Sequence, residues 1–225
     1  MAPKIQKRYM SERLSDKTLE VLPSSVAAPR YDRTAITPGI VHLGVGAFHR
    51  AHQAVYVDDC LAAGERDWGI VGASLQSRST ADALGPQHGL YTLAERGSDG
   101  ERLRVIGSIE EVLVAPHDPG RLLDALTDPD IRIVTLTITE KAYLRNAAGD
   151  LDTRHPGIVA DLANPATPRT AHGFLVEALA RRRTAGARRW TWARPWCAPA
   201  CSARSRASGS ATSTCAARRF PRSTR

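Results

Sequence analysis

Gly39-Ile-Val-His-Leu-Gly-Val-Gly-Ala-Phe-His-Arg-Ala-His-Gln53 is the stretch on which the rest of the chain depends. A short apolar run leads into closely spaced glycines and then into a segment of helical periodicity, so it reads as strand, tight turn and helix. Ile40, Val41 and Leu43 suit a buried strand of a parallel sheet. Gly44 and Gly46 allow a tight turn that exposes peptide N–H groups at the start of a helix, without a side chain to block a bulky anion. Such a turn attracts a pyrophosphate, and Arg50 adds a cation on the first helical turn. The bare pattern also fits a strand-to-helix turn with nothing bound. His49 stands where the third glycine of the usual G-x-G-x-x-G would be.

The longer string is more specific. His42-Leu-Gly-Val-Gly-Ala-Phe-His-Arg-Ala-His-Gln-Ala54 resembles the opening of the mannitol dehydrogenase and fructuronate reductase family, long-chain polyol and hexuronate dehydrogenases that use a nicotinamide coenzyme. The resemblance continues through Asp67-Trp-Gly-Ile-Val-Gly-Ala-Ser-Leu75, Gly89-Leu-Tyr-Thr-Leu93, Arg104-Val-Ile-Gly-Ser-Ile109, Arg132-Ile-Val-Thr-Leu-Thr-Ile-Thr-Glu-Lys141 and Gly173-Phe-Leu-Val-Glu-Ala-Leu179. It runs from about residue 12 to about residue 186 and then stops. It implies a doubly wound α/β fold with a mostly parallel Rossmann-type sheet, here incomplete, and a helical C-terminal substrate domain that is missing. It also implies NAD as coenzyme, a small sugar or sugar acid as substrate, and hydride transfer between the nicotinamide and a keto carbon. Carried onto this sequence, the coenzyme contacts fall on Gly44, Val45, Gly46, Ala47, Phe48, His49, Arg50, Ser79, Thr139 and Glu140. The family's proton donor is a lysine of the C-terminal domain, and no residue here aligns with it.

Coenzyme choice belongs to the end of the second strand, Gly69-Ile-Val-Gly-Ala-Ser-Leu75, where an acid binds the ribose 2′-hydroxyl and an arginine tolerates a 2′-phosphate. Gln76-Ser-Arg-Ser-Thr80 follows, with no acid before Asp82, and Ser79 holds the position where the family usually shows an aspartate. NAD is the favoured coenzyme. NADP stays open through Arg78, which also fits a solvated loop.

The remaining chain falls into place around this unit. Residues 1–38 form a lead-in with a short helix from Ser15 to Leu22, capped by Ser15. Phe48 to Ala63 reads as a helix that buries Phe48, Ala51 and Val55 and ends at Gly64. Leu90 to Ala94 and Leu103 to Ile109 form a hairpin around Gly97-Ser-Asp-Gly100. Pro116 to Asp128 is a helix capped by Asp118, with Leu122, Leu123 and Leu126 facing the sheet. It feeds Ile131 to Thr139, read as a central parallel strand. Lys141 and Tyr143 follow that strand but lack the Tyr-x-x-x-Lys spacing that puts both groups on one helix face. Lys141 is therefore weighed as a catalytic base against an exposed lysine or coenzyme contact, and no catalytic residue is assigned. The Thr139-Glu-Lys141 string resembles fructuronate reductases more than mannitol dehydrogenases, which usually show Thr-Glu-Gly, and this favours a hexuronate. A short helix holds Ile158, Val159 and Leu162. The readable chain closes with an amphipathic helix, Thr170 to Gly186, whose inner face is Phe174, Leu175, Ala178 and Leu179 and whose Arg181-Arg-Arg183 is a solvated end.

Composition sets limits on function. The net charge is +8, but residues 187–225 hold nine arginines and no Asp, Glu or Lys, which leaves about −1 on the preceding 186. A nucleic-acid partner would rest wholly on that tail, so none is expected. The tail has no Leu, Ile or Val and has the Arg, Ala, Ser and Pro content of a GC-rich gene translated out of frame. It is expected to be disordered or out of frame from near Ala187, and the coding DNA read in the other frames tests this by restoring or failing to restore a Ser-Cys-Asp-Asn-like segment. Cys60 reads as a small buried hydrophobe, and Cys197, Cys201 and Cys215 are given no role. His49 and His52 lack a third ligand, so no metal is assigned. The basic N-terminus lacks the apolar core of a secretory signal, and no run of about eighteen apolar residues spans a membrane. A cytoplasmic protein is expected.

Overall fold

The computed structural model describes residues 13–98 and 100–186. The expectations placed on the tail and its cysteines lie outside them. The strand signals assemble into a four-stranded parallel sheet in the order β6-β3-β2-β7. Its members are β2 (Pro38–Leu43), β3 (Gly69–Ser74), β6 (Ile109–Val114) and β7 (Ile133–Leu136). β2 pairs in register with β3 from Ile40↔Ile70 and with β7 from Ile40↔Ile133. A second, three-stranded sheet joins the hairpin of β4 (Tyr91–Gly97) and β5 (Gly100–Ile106) to β1 (Val26–Ala27), which runs parallel to β5.

Because strands alternate their side chains between faces, β2 feeds two cores at once. Val41 and Leu43 pack with Leu122, Leu123 and Leu126 and with Phe174 and Ala178. Ile40 packs on the opposite face with Ala54, Val57 and Leu61, together with Ile70 and Ile109. The first face is covered by α5 (Pro119–Thr127) and α7 (Ala171–Thr184), the second by α3 (Gln53–Ala62). Helices on both faces of a parallel sheet make the fold doubly wound, as expected. The other helices are α1 (Asp16–Leu19), α2 (Ala47–Ala51), α4 (Ser79–Leu84) and α6 (Pro156–Ala163). Among the described residues no helix is long and apolar enough to cross a membrane.

Caps fall where short polar side chains precede apolar periods. Ser15 closes a capping box with Thr18, Asp118 accepts from Arg121 N at 2.9 Å, and Thr170 accepts from Gly173 N at 3.1 Å. Asp161, buried at the end of α6, accepts from Arg169 N, Thr170 N and the Thr170 hydroxyl, and so fixes the entry into α7.

Several expectations need correction. The helix after β2 is broken at His52 (φ −127°, ψ −82°) into α2 and α3, and the break turns its buried face. Phe48 and Ala51 are exposed and Val55 half-buried, while Ala54, Val57, Asp58 and Leu61 point inward. The run expected as one hairpin strand, Leu103 to Ile109, bends at Gly107 and Ser108 into two. β5 stays in the hairpin and β6 crosses to the parallel sheet, where Ile109 pairs with Ile70. The β6 residues beyond Ile109 drew no strand assignment because Glu110 and Glu111 interrupt the apolar run. β7 is shorter than expected and, among the described residues, borders one strand only, β2. Its β-branched content marks extended backbone without marking a place in the sheet.

On α7 the inward phase is Ala171, Phe174, Ala178 and Arg182, so Leu179 is exposed. Arg182 is not part of a solvated end. It is 2% exposed and donates to Asp128 O at 2.5 Å and Ile131 O at 3.2 Å, satisfying carbonyls beyond the end of α5. Val159 and Leu162 of α6 face outward, and Ile158 alone of the three expected residues is buried.

Candidate functional site

The carboxyl ends of β2 and β7 meet at the point where the winding reverses. From β2 the chain leaves through α2 and α3 to β3 on one side, while β7 arrives through α5 on the other face. Ligands of open α/β sheets lie at such a reversal. The glycine turn sits there. Gly44 takes φ +99°, and a Cβ on it would lie 2.4 Å from Thr137 O, so no other residue fits. Val45 tucks beneath the turn at 3% exposure, in space left by Gly72, where an added Cβ would come within 2.5 Å of the Val45 side chain.

The glycines do not supply the donors expected of them. Gly44 N donates to Ala73 O at 2.8 Å and Gly46 N to Gly44 O at 2.7 Å. The first bond of α2 runs from Arg50 N to Gly46 O, which leaves the amides of Ala47, Phe48 and His49 as the forward donors. Gly46 faces open space, since an added Cβ would meet nothing nearer than Gly44 O at 3.9 Å. The glycines give curvature and room, and the next three residues give polarity.

The residues expected around a coenzyme separate by depth. Gly46, Ala47 and Phe48 are exposed at the mouth, with Phe48 tilted against His52 at 4.5 Å. Arg50 is half-buried, and its carbonyl accepts from the Tyr91 hydroxyl at 2.6 Å, tying the turn to the hairpin. Val45 and His49 face the core, so only their backbone can touch a ligand. Thr139 precedes the 3-10 turn Glu140–Tyr143 beyond β7 without a side-chain capping bond, and Thr139, Glu140 and Lys141 are exposed. Ser79 opens α4 beyond β3. Its amide donates to the Ser77 hydroxyl at 3.1 Å, and Arg78 pairs with Asp82 at 3.6 Å, exposed. The structure thus sets the turn, the Thr139–Lys141 segment and the Ser77–Ser79 loop at the carboxyl ends of β2, β7 and β3.

The centre of the site is a pair of histidines, one of which the sequence reading left unnoticed. His42, on the α3-facing side of β2, is fully buried and stacks on the fully buried His49 with centroids 3.5 Å apart and planes at 11°. His42 Nδ1 lies 2.7 Å from the Thr135 hydroxyl and Nε2 lies 2.8 Å from the Thr137 hydroxyl. His42 Nε2 also lies 3.2 Å from Gly44 O, a carbonyl that can only accept, and the Thr137 hydroxyl spends its hydrogen on that carbonyl at 2.7 Å, so the ring proton sits on Nε2. The Thr135 hydroxyl, 3.1 Å from Gln53 Oε1, then turns its one hydrogen to the closer Nδ1. His49 Nδ1 donates to Gln53 Oε1 at 3.2 Å, and its Nε2 is a buried acceptor with no partner. Burial pushes both rings down, His42 to about 4 and His49, which also feels His42, to about 3. Both are therefore neutral at physiological pH. A histidine in a strand apolar on both faces, with Thr135 in β7 and Thr137 just past its end, was the available signal.

Among the described residues no group of three or more His, Cys, Asp or Glu could hold an ion. Cys60 is half-buried, and its thiol is pushed up by burial and by Asp59 and Glu65, which disfavours the reactive thiolate.

The family model described as the mannitol dehydrogenase Rossmann domain matches residues 38–194. The chain belongs to the mannitol dehydrogenase family. The match passes slightly beyond residue 186, where the resemblance was expected to stop. A mannitol 2-dehydrogenase of Cereibacter sphaeroides is 50% identical over 165 residues, covering 72% of this chain and 35% of that protein. A D-mannonate oxidoreductase of Escherichia coli (strain K12) is 43% identical over 171 residues, covering 74% and 35%. The Pseudomonas fluorescens mannitol 2-dehydrogenase, solved as a ternary complex with NAD and D-mannitol, superposes with a TM-score of 0.75 at 43% identity, over 78% of this chain and 37% of that one. The chain spans little more than a third of the length of these family members.

Proposed function

We propose that this chain forms the coenzyme-binding half of an NAD-dependent oxidoreductase that interconverts a ketose or keto-hexuronate and its alcohol. The observation that carries this reading is the glycine turn at the sheet's reversal, with three forward amides and an open space at Gly46. The residues present fit a dinucleotide. The amides of Ala47, Phe48 and His49 would hold the pyrophosphate with Arg50 nearby, and the Thr139–Glu140 segment and Ser79 would line its flanks. NADP remains the second coenzyme, on Arg78 and the lack of a carboxylate between β3 and Asp82. When bound, the coenzyme supplies the hydride chemistry. The chain's own residues bind and orient, and no side chain at the turn is placed as a proton donor, since His42 and His49 are buried and neutral.

The substrate favoured is fructuronate with mannonate as its alcohol, on the Thr139-Glu-Lys141 string, with fructose and mannitol next. The chain is proposed to work in the cytoplasm and to bind coenzyme without turnover, as a dinucleotide-binding fragment, with residues 187–225 read out of frame. What supports this is that the site places no side chain as a proton donor, His42 and His49 being buried, and that residues 187–225 hold nine arginines and no Leu, Ile or Val. Titration of the full chain with NADH and NADPH, followed by fluorescence, is expected to saturate. Oxidation of mannonate or mannitol is expected to stay at the coenzyme-only rate. A cooperative melt with no coenzyme binding would overturn the reading, and turnover above that rate would overturn the fragment assignment.

Gly46→Val sharpens the test. Its side chain would fill the open space without touching the core, so the melting midpoint should hold within a few degrees while coenzyme affinity falls about a hundredfold or more. Unchanged affinity would place the coenzyme elsewhere.

A further inference from the structure

We propose that His42 and Thr137 are positioning residues that set the glycine turn for the coenzyme through one directed hydrogen-bond chain. His42 Nε2–H donates to Thr137 Oγ1 at 2.8 Å, and the Thr137 hydroxyl donates to Gly44 O at 2.7 Å. The Gly46 amide donates to the same carbonyl at 2.7 Å. His42 Nε2 also lies 3.2 Å from Gly44 O, so three donors surround that carbonyl and hold it against the end of β7. A free carbonyl at this turn would set a negative dipole end toward a pyrophosphate, so its direction matters to anion binding.

Histidine does more here than fill space. A threonine hydroxyl rotates and has one hydrogen to give, and alone it could turn away from Gly44. The His42 N–H occupies the Thr137 oxygen as a donor and leaves the hydroxyl hydrogen for Gly44 O. The Thr135 hydroxyl on Nδ1 keeps the ring in that tautomer, and the stack on His49 fixes its plane. His42 and Thr137 lie 95 residues apart, so the chain also joins the two strands that flank the crevice. His42 is fully buried and acts through Thr137, which is exposed at the mouth. Both act through the backbone of Gly44 and Gly46.

The inference rests on the coenzyme reading and is tested so that the two can fail separately. Thr137→Val keeps the shape and removes the hydroxyl, and Thr137→Ser keeps the hydroxyl. In the full chain, Thr137→Val is expected to weaken NADH binding at least tenfold and to speed hydrogen exchange at the Gly46 amide at least tenfold without coenzyme. Thr137→Ser should stay within about twofold on both. Both melting midpoints should remain within a few degrees of the parent chain, since the site lies at the mouth of the sheet. Unchanged affinity and exchange in Thr137→Val overturn the inference. So does equal loss in both variants, which would assign the effect to packing. If the parent chain binds neither coenzyme, the coenzyme reading falls, and exchange at Gly46 alone decides whether the hydrogen-bond chain sets the turn.

Discussion

Asp58→Ala is expected to cost the chain roughly 3–5 kcal/mol, much of the stability of a domain this size. Asp58 is 1% exposed on the inner face of α3. One carboxylate oxygen accepts from the Tyr31 hydroxyl at 2.5 Å and from Gly107 N at 2.8 Å, and the other from Arg104 at 2.5 Å. Three distant segments converge on it: the lead-in, the bend between β5 and β6, and strand β5. Alanine would leave the buried Gly107 amide and the half-buried Tyr31 hydroxyl without acceptors, and each such loss costs about 1–3 kcal/mol. Burial and the Asp58 charge already push the Tyr31 hydroxyl up, so its proton stays available to donate. Asp59 is the internal control. It also meets Arg104, at 2.6 Å, but its side chain is 56% exposed. Asp59→Ala should therefore cost under about 1 kcal/mol. Urea melts of the two variants against the parent chain decide the matter, and equal losses would show that Asp58 is not the joint.

Asp58 also shows what could be read from the residues alone. The strand, glycine turn and capped helices were legible because their signals are local: an apolar run, a φ that only glycine tolerates, Asp118 ahead of Leu122 and Leu123. Asp58 carried a local signal too, four residues from Ala54 and one from Val57 on the buried face of α3, and so did Arg182, four residues from Ala178. In both cases the helical phase would have turned a charge inward had it been followed past the residue type. The break at His52 had no such signal. It depends on how α2 leaves the turn and how His49 seats on His42, a contact between two elements. The bend at Gly107 likewise depends on Asp58, 49 residues away, taking its amide, and on Arg33, 74 residues away, donating to its carbonyl. The candidate site divides the same way. Its mouth, Gly44 to Arg50, was legible as a motif. Its floor, His42 with Thr135 and Thr137, needed the register that sets β7 against β2.

That floor should make the fold sensitive to acid. His42 and His49 hold folded values of about 4 and about 3, against about 6.5 in an unfolded chain. Below pH 6.5 the unfolded chain takes up protons that the folded pair refuses. The stability these rings contribute is therefore complete above pH 6.5 and drains away as pH falls toward their folded values. By pH 4 the loss is on the order of 3 kcal/mol for each ring. Glu110 works in the opposite sense. Its half-buried carboxyl, raised to about 7 by burial and by the neighbouring Glu111, penalises the folded state at neutral pH, and that penalty lifts as pH falls from about 7 toward 4.5. The rings take over below that window, so the parent chain should lose stability most steeply between pH 5 and 4. His49→Phe isolates the cause. Phenylalanine keeps a ring on His42, removes one titrating group and discards the unpartnered Nε2. Its melting midpoint at pH 7.5 should lie near that of the parent, and its decline between pH 6.5 and 4 should be smaller by one ring's share, on the order of 3 kcal/mol, because Glu110 and the other carboxylates act equally on both chains. Thermal melts across that range are the measurement. Parallel decline in the two chains would mean that the acid lability arises elsewhere and that the stacked pair is not held neutral by the fold.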